Sequence, residues 1–155
     1  MVYPMYIDGE WVTKPGAEKE VISPATGEVL GTITPAGFEE VDRALKAADR
    51  EKEHLESMTV FERAELCMKI AAAIENHKEE LAKIISLEMG KPYTEALGEV
   101  GGSALSFRDA AEQIKWMSDE IPSVREKNVH VFAYRRPVGV FTIITPFNFP
   151  ICTAC

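Results

Sequence analysis

Along the first 35 residues, apolar and polar positions alternate in short runs broken by turn residues; beyond that the apolar positions change to a period near that of a helix. Tyr6–Val12 (YIDGEWV) places Asp8-Gly9 between two strand-like runs, which predicts a two-residue hairpin. Glu20–Ile33 (EVISPATGEVLGTI) repeats the arrangement, with Pro24 and Gly27 supplying the turn. From Phe38 to Glu53, Val41, Ala44, Leu45 and Ala48 predict one apolar stripe on a helix. A second helix is expected after Thr59, with Glu62 completing a capping box and Phe61, Leu66, Ile70, Ala73 and Ile74 forming its stripe. A third uses Leu81, Ile84 and Ile85 and ends at Met89, where Gly90 is a natural C-cap and Pro92 prevents continuation. A fourth is expected over Ala96–Trp116. Gly98, Gly101 and Gly102 weaken it locally and would let another backbone approach closely.

After Pro122 the texture changes. Asn128–Tyr134 (NVHVFAY) alternates, with Val129, Val131 and Ala133 on one side and His130, Phe132 and Tyr134 on the other. That predicts a strand apolar on both faces, one of which would cover another chain. Pro137-Val138-Gly139 interrupts it. Val140–Ile144 then has the β-branched and aromatic pattern of a buried parallel strand, and it runs into T-P-F-N-F-P, Thr145–Pro150.

Ligands of open α/β sheets collect at the carboxyl ends of strands, so Asn148 lies where a site is expected. Its carboxamide donates two hydrogen bonds, carries no charge and does not titrate. Those properties suit the stabilisation of an oxyanion that exists only during reaction. The residues alone leave a second account open, in which Asn148 caps a following helix and Phe147 and Phe149 are core.

Composition narrows the partners. The chain has 155 residues, one domain's worth, and 46% of them are hydrophobic, as in a globular protein. A net charge of −8 disfavours nucleic acid and anionic lipid. No apolar run approaches bilayer length, and the N-terminus lacks a signal-peptide pattern, so no membrane partner and a cytoplasmic location are expected. Cys67, Cys152 and Cys155 do not make a secreted disulfide framework. The Cys152-x-x-Cys155 spacing suits a metal or a dithiol couple, but a structural zinc takes four ligands and His54, His77 and His130 are scattered. No metal is expected, and the pair reads as helix residues packed as small hydrophobes.

Three segments, in order, carry a resemblance. YIDGEW with SPATGEVLG (Ser23–Gly31), SLEMGKPYTEALGEV (Ser86–Val100) and RRPVGVFTIITPFNFP (Arg135–Pro150) are similar to the N-terminal portion of the NAD(P)-dependent aldehyde dehydrogenase superfamily. The resemblance implies an α/β fold: β-hairpins and helices, then the first strand of a Rossmann-like cofactor domain that is incomplete in this chain. It divides the chain into 1–121, the N-terminal part of the cofactor-binding domain; 122–137, an oligomerisation arm; and 138–155, the first cofactor-domain strand and the start of the next helix.

By the same resemblance, Asn148 is the oxyanion-hole donor, and Ile144, Thr145, Pro146 and Phe147 line the pocket for nicotinamide and its ribose. The implied reaction oxidises a small-molecule aldehyde to a carboxylic acid or acyl thioester with NAD or NADP, through a cysteine thiohemiacetal. The family's cysteine nucleophile, general-base glutamate and glycine-containing cofactor turn come later than the asparagine signature. The 155-residue chain alone is therefore expected to be inactive and not to bind the cofactor tightly. A homo-oligomer formed through the 128–136 strand is implied; the alternative is a non-catalytic interaction module of the same fold. Glu88 and Lys91 match a family segment and read as a structural i, i+3 pair near a helix end.

Overall fold

Among the described residues, five short strands come first, then four helices, then a long tail that ends in a docked turn. The computed structural model describes residues 2–16 and 18–155. The strands are β1 (Val2–Tyr3), β2 (Met5–Ile7), β3 (Glu10–Val12), β4 (Lys19–Ile22) and β5 (Val29–Ile33). Both expected hairpins form. β2 and β3 pair antiparallel with Tyr6 opposite Trp11, and the turn has positive φ at both Asp8 (56°) and Gly9 (78°), which its twist demands. β4 and β5 pair antiparallel, with an irregularity between Val21 and Ile22. β5 also pairs in parallel with β1, giving the order β1-β5-β4. That pairing has no signature in sequence, because two residues are too few to show alternation.

The helices are α1 (Phe38–Ser57), α2 (Val60–Asn76), α3 (Lys78–Met89) and α4 (Tyr93–Ile114). Their ends follow the local signals. Thr59 and Glu62 form the reciprocal capping box. Gly90 takes a left-handed conformation (φ 78°) and returns its amide to the Ser86 carbonyl, closing α3. Pro92 then starts α4 as its N-cap.

Which faces are buried departs from expectation. Val41, Ala44, Leu45 and Ala48 of α1 are all exposed, and α1 buries no residue. Ion pairs Arg50–Asp8 and Arg43–Glu10 join α1 to the β2–β3 hairpin, and Lys14–Glu40 joins it to the stretch just after β3. The two hairpin pairs are exposed and each contributes little, whereas Lys14–Glu40 is part-buried. An amphipathic pattern chooses a face; it does not supply the surface that covers it. In α2, Phe61, Leu66 and Ala73 are exposed and Ile70 and Ile74 half-buried, while Ala64 and Ala71 are buried. The partner is α4, whose Ala104 and Ala111 are fully buried, so the helices meet along small side chains. Ala82 and Ile85 of α3 and Ala96 and Val100 of α4 form the adjoining core, with Ile151 from the tail packed against it.

The glycines of α4 do not admit a close backbone among the described residues. A Cβ added at Gly98 or Gly102 would meet nothing within 4 Å, and one at Gly101 would meet the Lys78 ammonium. Gly98→Ala and Gly102→Ala are accordingly expected to stabilise the chain by about 0.5–1 kcal/mol each through helix propensity. Urea unfolding checks this: an unchanged or lower midpoint would contradict it.

The two expected strands of the tail are corrected. Asn128–Tyr134 forms no ladder; it contributes one isolated antiparallel bridge, Glu120 to Ala133, with both amide–carbonyl bonds made. Phe132 and Tyr134 do lie on one side, their rings stacked 6.4 Å apart, as alternation required. Val140–Ile144 is neither paired nor buried, with Phe141 72% and Ile144 87% exposed. A strand is a property of a pair, and no described residues lie alongside to complete the ladder. Cys152 and Cys155 are also corrected: they are free and exposed rather than packed.

Candidate active site

The asparagine signature sits on the turn that docks the tail onto α3 and α4. Its register is set by the amide of Thr153, which donates to the Phe149 carbonyl at 3.3 Å. Phe149 is therefore the residue in the N-cap place, Pro150 the first inside the turn, and Ile151 and Cys152 the next two. Proline is at ease in that first place, where an amide would find no partner. The amides of Ile151 and Cys152 do need an acceptor, and a phenylalanine side chain has none to offer.

The acceptor comes from α4. Oε1 of Glu99 accepts the Ile151 amide at 3.1 Å and the Cys152 amide at 3.3 Å. Its other oxygen, Oε2, accepts from Lys91 Nζ at 2.6 Å. Lys91 also donates to the main-chain carbonyl of Asn148 at 2.7 Å, and its ammonium lies 4.0 Å from the centre of the Phe149 ring. The Lys91 and Glu99 side chains are only 8% and 1% exposed, so this is a buried ion pair whose remaining capacity is filled by the tail. Burial by itself would push the Glu99 carboxyl up; the hydrogen bonds from Lys91 and the two amides outweigh it and hold it below the ordinary carboxylate range.

Lys91 is thus paired with Glu99 rather than with Glu88, the partner that the i, i+3 spacing suggested. The sequence offers Lys91 three acids near by, Glu88, Glu95 and Glu99, and spacing does not choose among them. Nothing in the sequence ties Lys91 or Glu99 to the asparagine turn.

The same register removes the capping account of Asn148. It precedes the N-cap place by one residue, its carbonyl is held by Lys91, and among the described residues its carboxamide makes no hydrogen bond. Asn148 is exposed. Ile144, Thr145, Pro146 and Phe147 lead up to it and are exposed as well, Phe147 by 85%. These five residues are contiguous, with the last of them pinned. A cleft of about 760 Å³ lies elsewhere, between the C-terminal half of α1, the start of α2, the end of α4 and Arg135–Phe141. It has no wall in common with the asparagine turn, and the chemistry of the turn is the better guide. No group of three or more metal-ligating side chains occurs among the described residues.

Comparisons with known proteins show the family of the chain. A sequence profile of the aldehyde dehydrogenase family matches residues 11–155. The lactaldehyde dehydrogenase of Methanocaldococcus jannaschii is 37% identical over 147 residues, which are 95% of this chain and 31% of that protein. An NAD-dependent aldehyde dehydrogenase from Sinorhizobium meliloti superposes with a TM-score of 0.90 at 36% identity, over 99% of this chain and 32% of that one. An NADP-dependent enzyme of E. coli superposes with a TM-score of 0.88 at 31% identity, over 96% and 31%. The chain thus spans about a third of the length of the relatives it matches. With the profile covering both the helical core and the asparagine turn docked upon it, the chain belongs to the aldehyde dehydrogenase family.

Proposed function

We propose that these residues form the part of an NAD(P)-dependent aldehyde dehydrogenase that presents the oxyanion donor, Asn148. The observation that carries this is a carboxamide without an internal partner on a main chain held from behind by a buried ion pair. A donor fixed before the reaction is worth far more to a developing negative oxygen than one that must be ordered during it. In this reading Asn148 donates to the carbonyl oxygen of the aldehyde as charge collects there, without itself gaining or losing a proton. Oxidation ends in a carboxylic acid or an acyl thioester.

The residues before Asn148 fit one side of a nicotinamide site. Ile144, Pro146 and Phe147 offer apolar surface to a ring, and the Thr145 hydroxyl offers a donor and an acceptor to a ribose. These four would hold the cofactor, NAD or NADP. The chemistry it supplies when bound is acceptance of hydride. In this reading the cysteine nucleophile and general-base glutamate are not among these 155 residues, and the 155-residue chain alone is expected to be inactive.

The reading divides the chain at 121 and 137, with 122–137 as an oligomerisation arm. Support comes from a segment exposed on both faces, with Val131, Phe132 and Tyr134 in the open. No helix among the described residues is long and apolar enough to cross a membrane; a cytoplasmic setting is part of the proposal. Light scattering is expected to give a multiple of the protomer mass, reduced when Val131 and Phe132 are both changed to serine. A monomer in both would count against the arm.

The test of function is aldehyde-dependent NAD(P)H formation by the whole polypeptide that the gene encodes, with the 155-residue chain alone as control. A panel of short aldehydes starting from lactaldehyde is expected to yield activity with the former and none with the latter. Absence of turnover in the whole polypeptide across the panel sinks the reading.

A further inference from the structure

Two features of the asparagine turn belong together: its amides are capped by a residue 52 and 53 positions away, and the asparagine beside it is left with nothing to cap. We infer that Glu99 and Lys91 are positioning residues for Asn148, a bracket whose purpose is to keep its carboxamide unspent and aimed. This rests on the reading of Asn148 as the oxyanion donor.

The argument is one of competition. An asparagine near the start of a helical turn tends to shift into the cap place and spend its side-chain oxygen on the second or third amide. A side chain so engaged is turned back on its own main chain and cannot meet substrate. Here those amides are already satisfied by Glu99 Oε1. The carboxylate is also the better acceptor, since it is charged and faces the positive end of the turn. Lys91 completes the arrangement from the other side. Its ammonium fixes the Asn148 carbonyl, neutralises the buried carboxylate and lies against the Phe149 ring. The Asn148 peptide is thus held on one side of the cap place and the Ile151 and Cys152 amides on the other. Ile151 packed on the α3–α4 core keeps the turn from sliding.

The pair touches neither substrate nor cofactor in this reading; it acts only through Asn148. Its variants should therefore alter turnover more than substrate binding, and should do nothing once Asn148 is gone.

Two measurements test it. In the whole polypeptide, the paired variant Lys91→Met/Glu99→Gln leaves no stranded charge and keeps an oxygen for the two amides, while losing the donor to the Asn148 carbonyl. It is expected to lower kcat about tenfold or more with KM within about threefold. Added to Asn148→Ala, it is expected to change kcat by less than about twofold. In the 155-residue chain, hydrogen exchange at the Ile151 and Cys152 amides is expected to quicken about tenfold or more in Glu99→Ala beyond any change at Ala104 of α4, which registers overall loss of stability.

A wild-type kcat in the paired variant, or equal losses with and without Asn148, overturns the bracket in favour of a role in stability alone. If Asn148→Ala itself leaves turnover unchanged, the oxyanion reading fails instead. The exchange rates then decide the bracket: unchanged protection in Glu99→Ala overturns it, and should that variant not fold, Glu99→Gln at the same amides is expected to give an intermediate rate.

Discussion

Replacing Asn148 with alanine is expected to lower kcat for aldehyde oxidation by the whole polypeptide by about 10²–10³, equal to about 3–4 kcal/mol of lost transition-state stabilisation. KM should move little, because the donor matters most after charge has developed on the substrate oxygen. Asn148→Asp is the sharper variant. It has nearly the same shape, but when ionised it donates nothing and faces a like charge, so its loss should equal or exceed that of alanine. Steady-state kinetics under saturating cofactor check both. A kcat for Asn148→Ala within about threefold of wild type would remove the residue from the reaction. The size of the effect follows from rigidity. A carboxamide on a loose loop would have to be ordered at each turnover, whereas here the main chain is already tied to a buried ammonium.

The other large effect is on stability. Lys91→Met alone strands the Glu99 carboxylate in a site where its side chain is 1% exposed, and is expected to cost about 3–5 kcal/mol. The paired variant with Glu99→Gln should cost much less, since neutral groups of similar size can replace a buried pair without large penalty. Urea unfolding of the 155-residue chain separates the two. Equal losses in the single and paired variants would show that packing, rather than charge, dominates.

The pair also shapes the acid limb. Glu99 is held below its ordinary value of 4.5, so between the two values the unfolded chain binds more protons than the folded one. The stability it contributes is therefore fully present above the ordinary value and lost as pH falls through the lower, folded one. Glu40, half-buried and held down first by its hydrogen bond with Lys14, and the exposed Glu62, held down first by the Thr59 amide, act in the same direction. The contribution of Glu99 is isolated by comparison with Glu99→Gln, in which the fall of stability below pH 4.5 should be shallower. An unchanged slope would contradict it.

Much of the local structure was legible from the amino acids. Asp8-Gly9 specified a hairpin because few residue pairs accept positive φ twice in succession. Thr59 with Glu62 and Gly90 before Pro92 marked helix ends because the groups that need satisfying lie within four residues of those that satisfy them. The P-F-N-F-P run singled out Asn148 for the same kind of reason, a rare residue type between two residues that stiffen the chain.

What packs on those elements was settled elsewhere. The apolar stripe of α1 is present but encloses nothing, and the stripe of α2 runs through large residues while Ala64 and Ala71 are the ones enclosed. Small side chains decide how closely two helices approach, and that depends on the partner as much as on the helix itself. Val140–Ile144 shows the limit from the other side, since its composition is that of a strand but a ladder needs a second chain segment beside it. By itself, then, the sequence determined turns, caps and helices, all of which depend on neighbours a few residues apart, and pointed to Asn148 as a candidate donor. Only the tertiary structure decided that Lys91 leaves Glu88 for Glu99, and that together they grip a turn more than fifty residues further on. Burial makes that so: two charges withdrawn from water must find each other and every nearby unsatisfied amide or carbonyl, and which groups are nearby is a property of the packed helices, not of spacing along the chain.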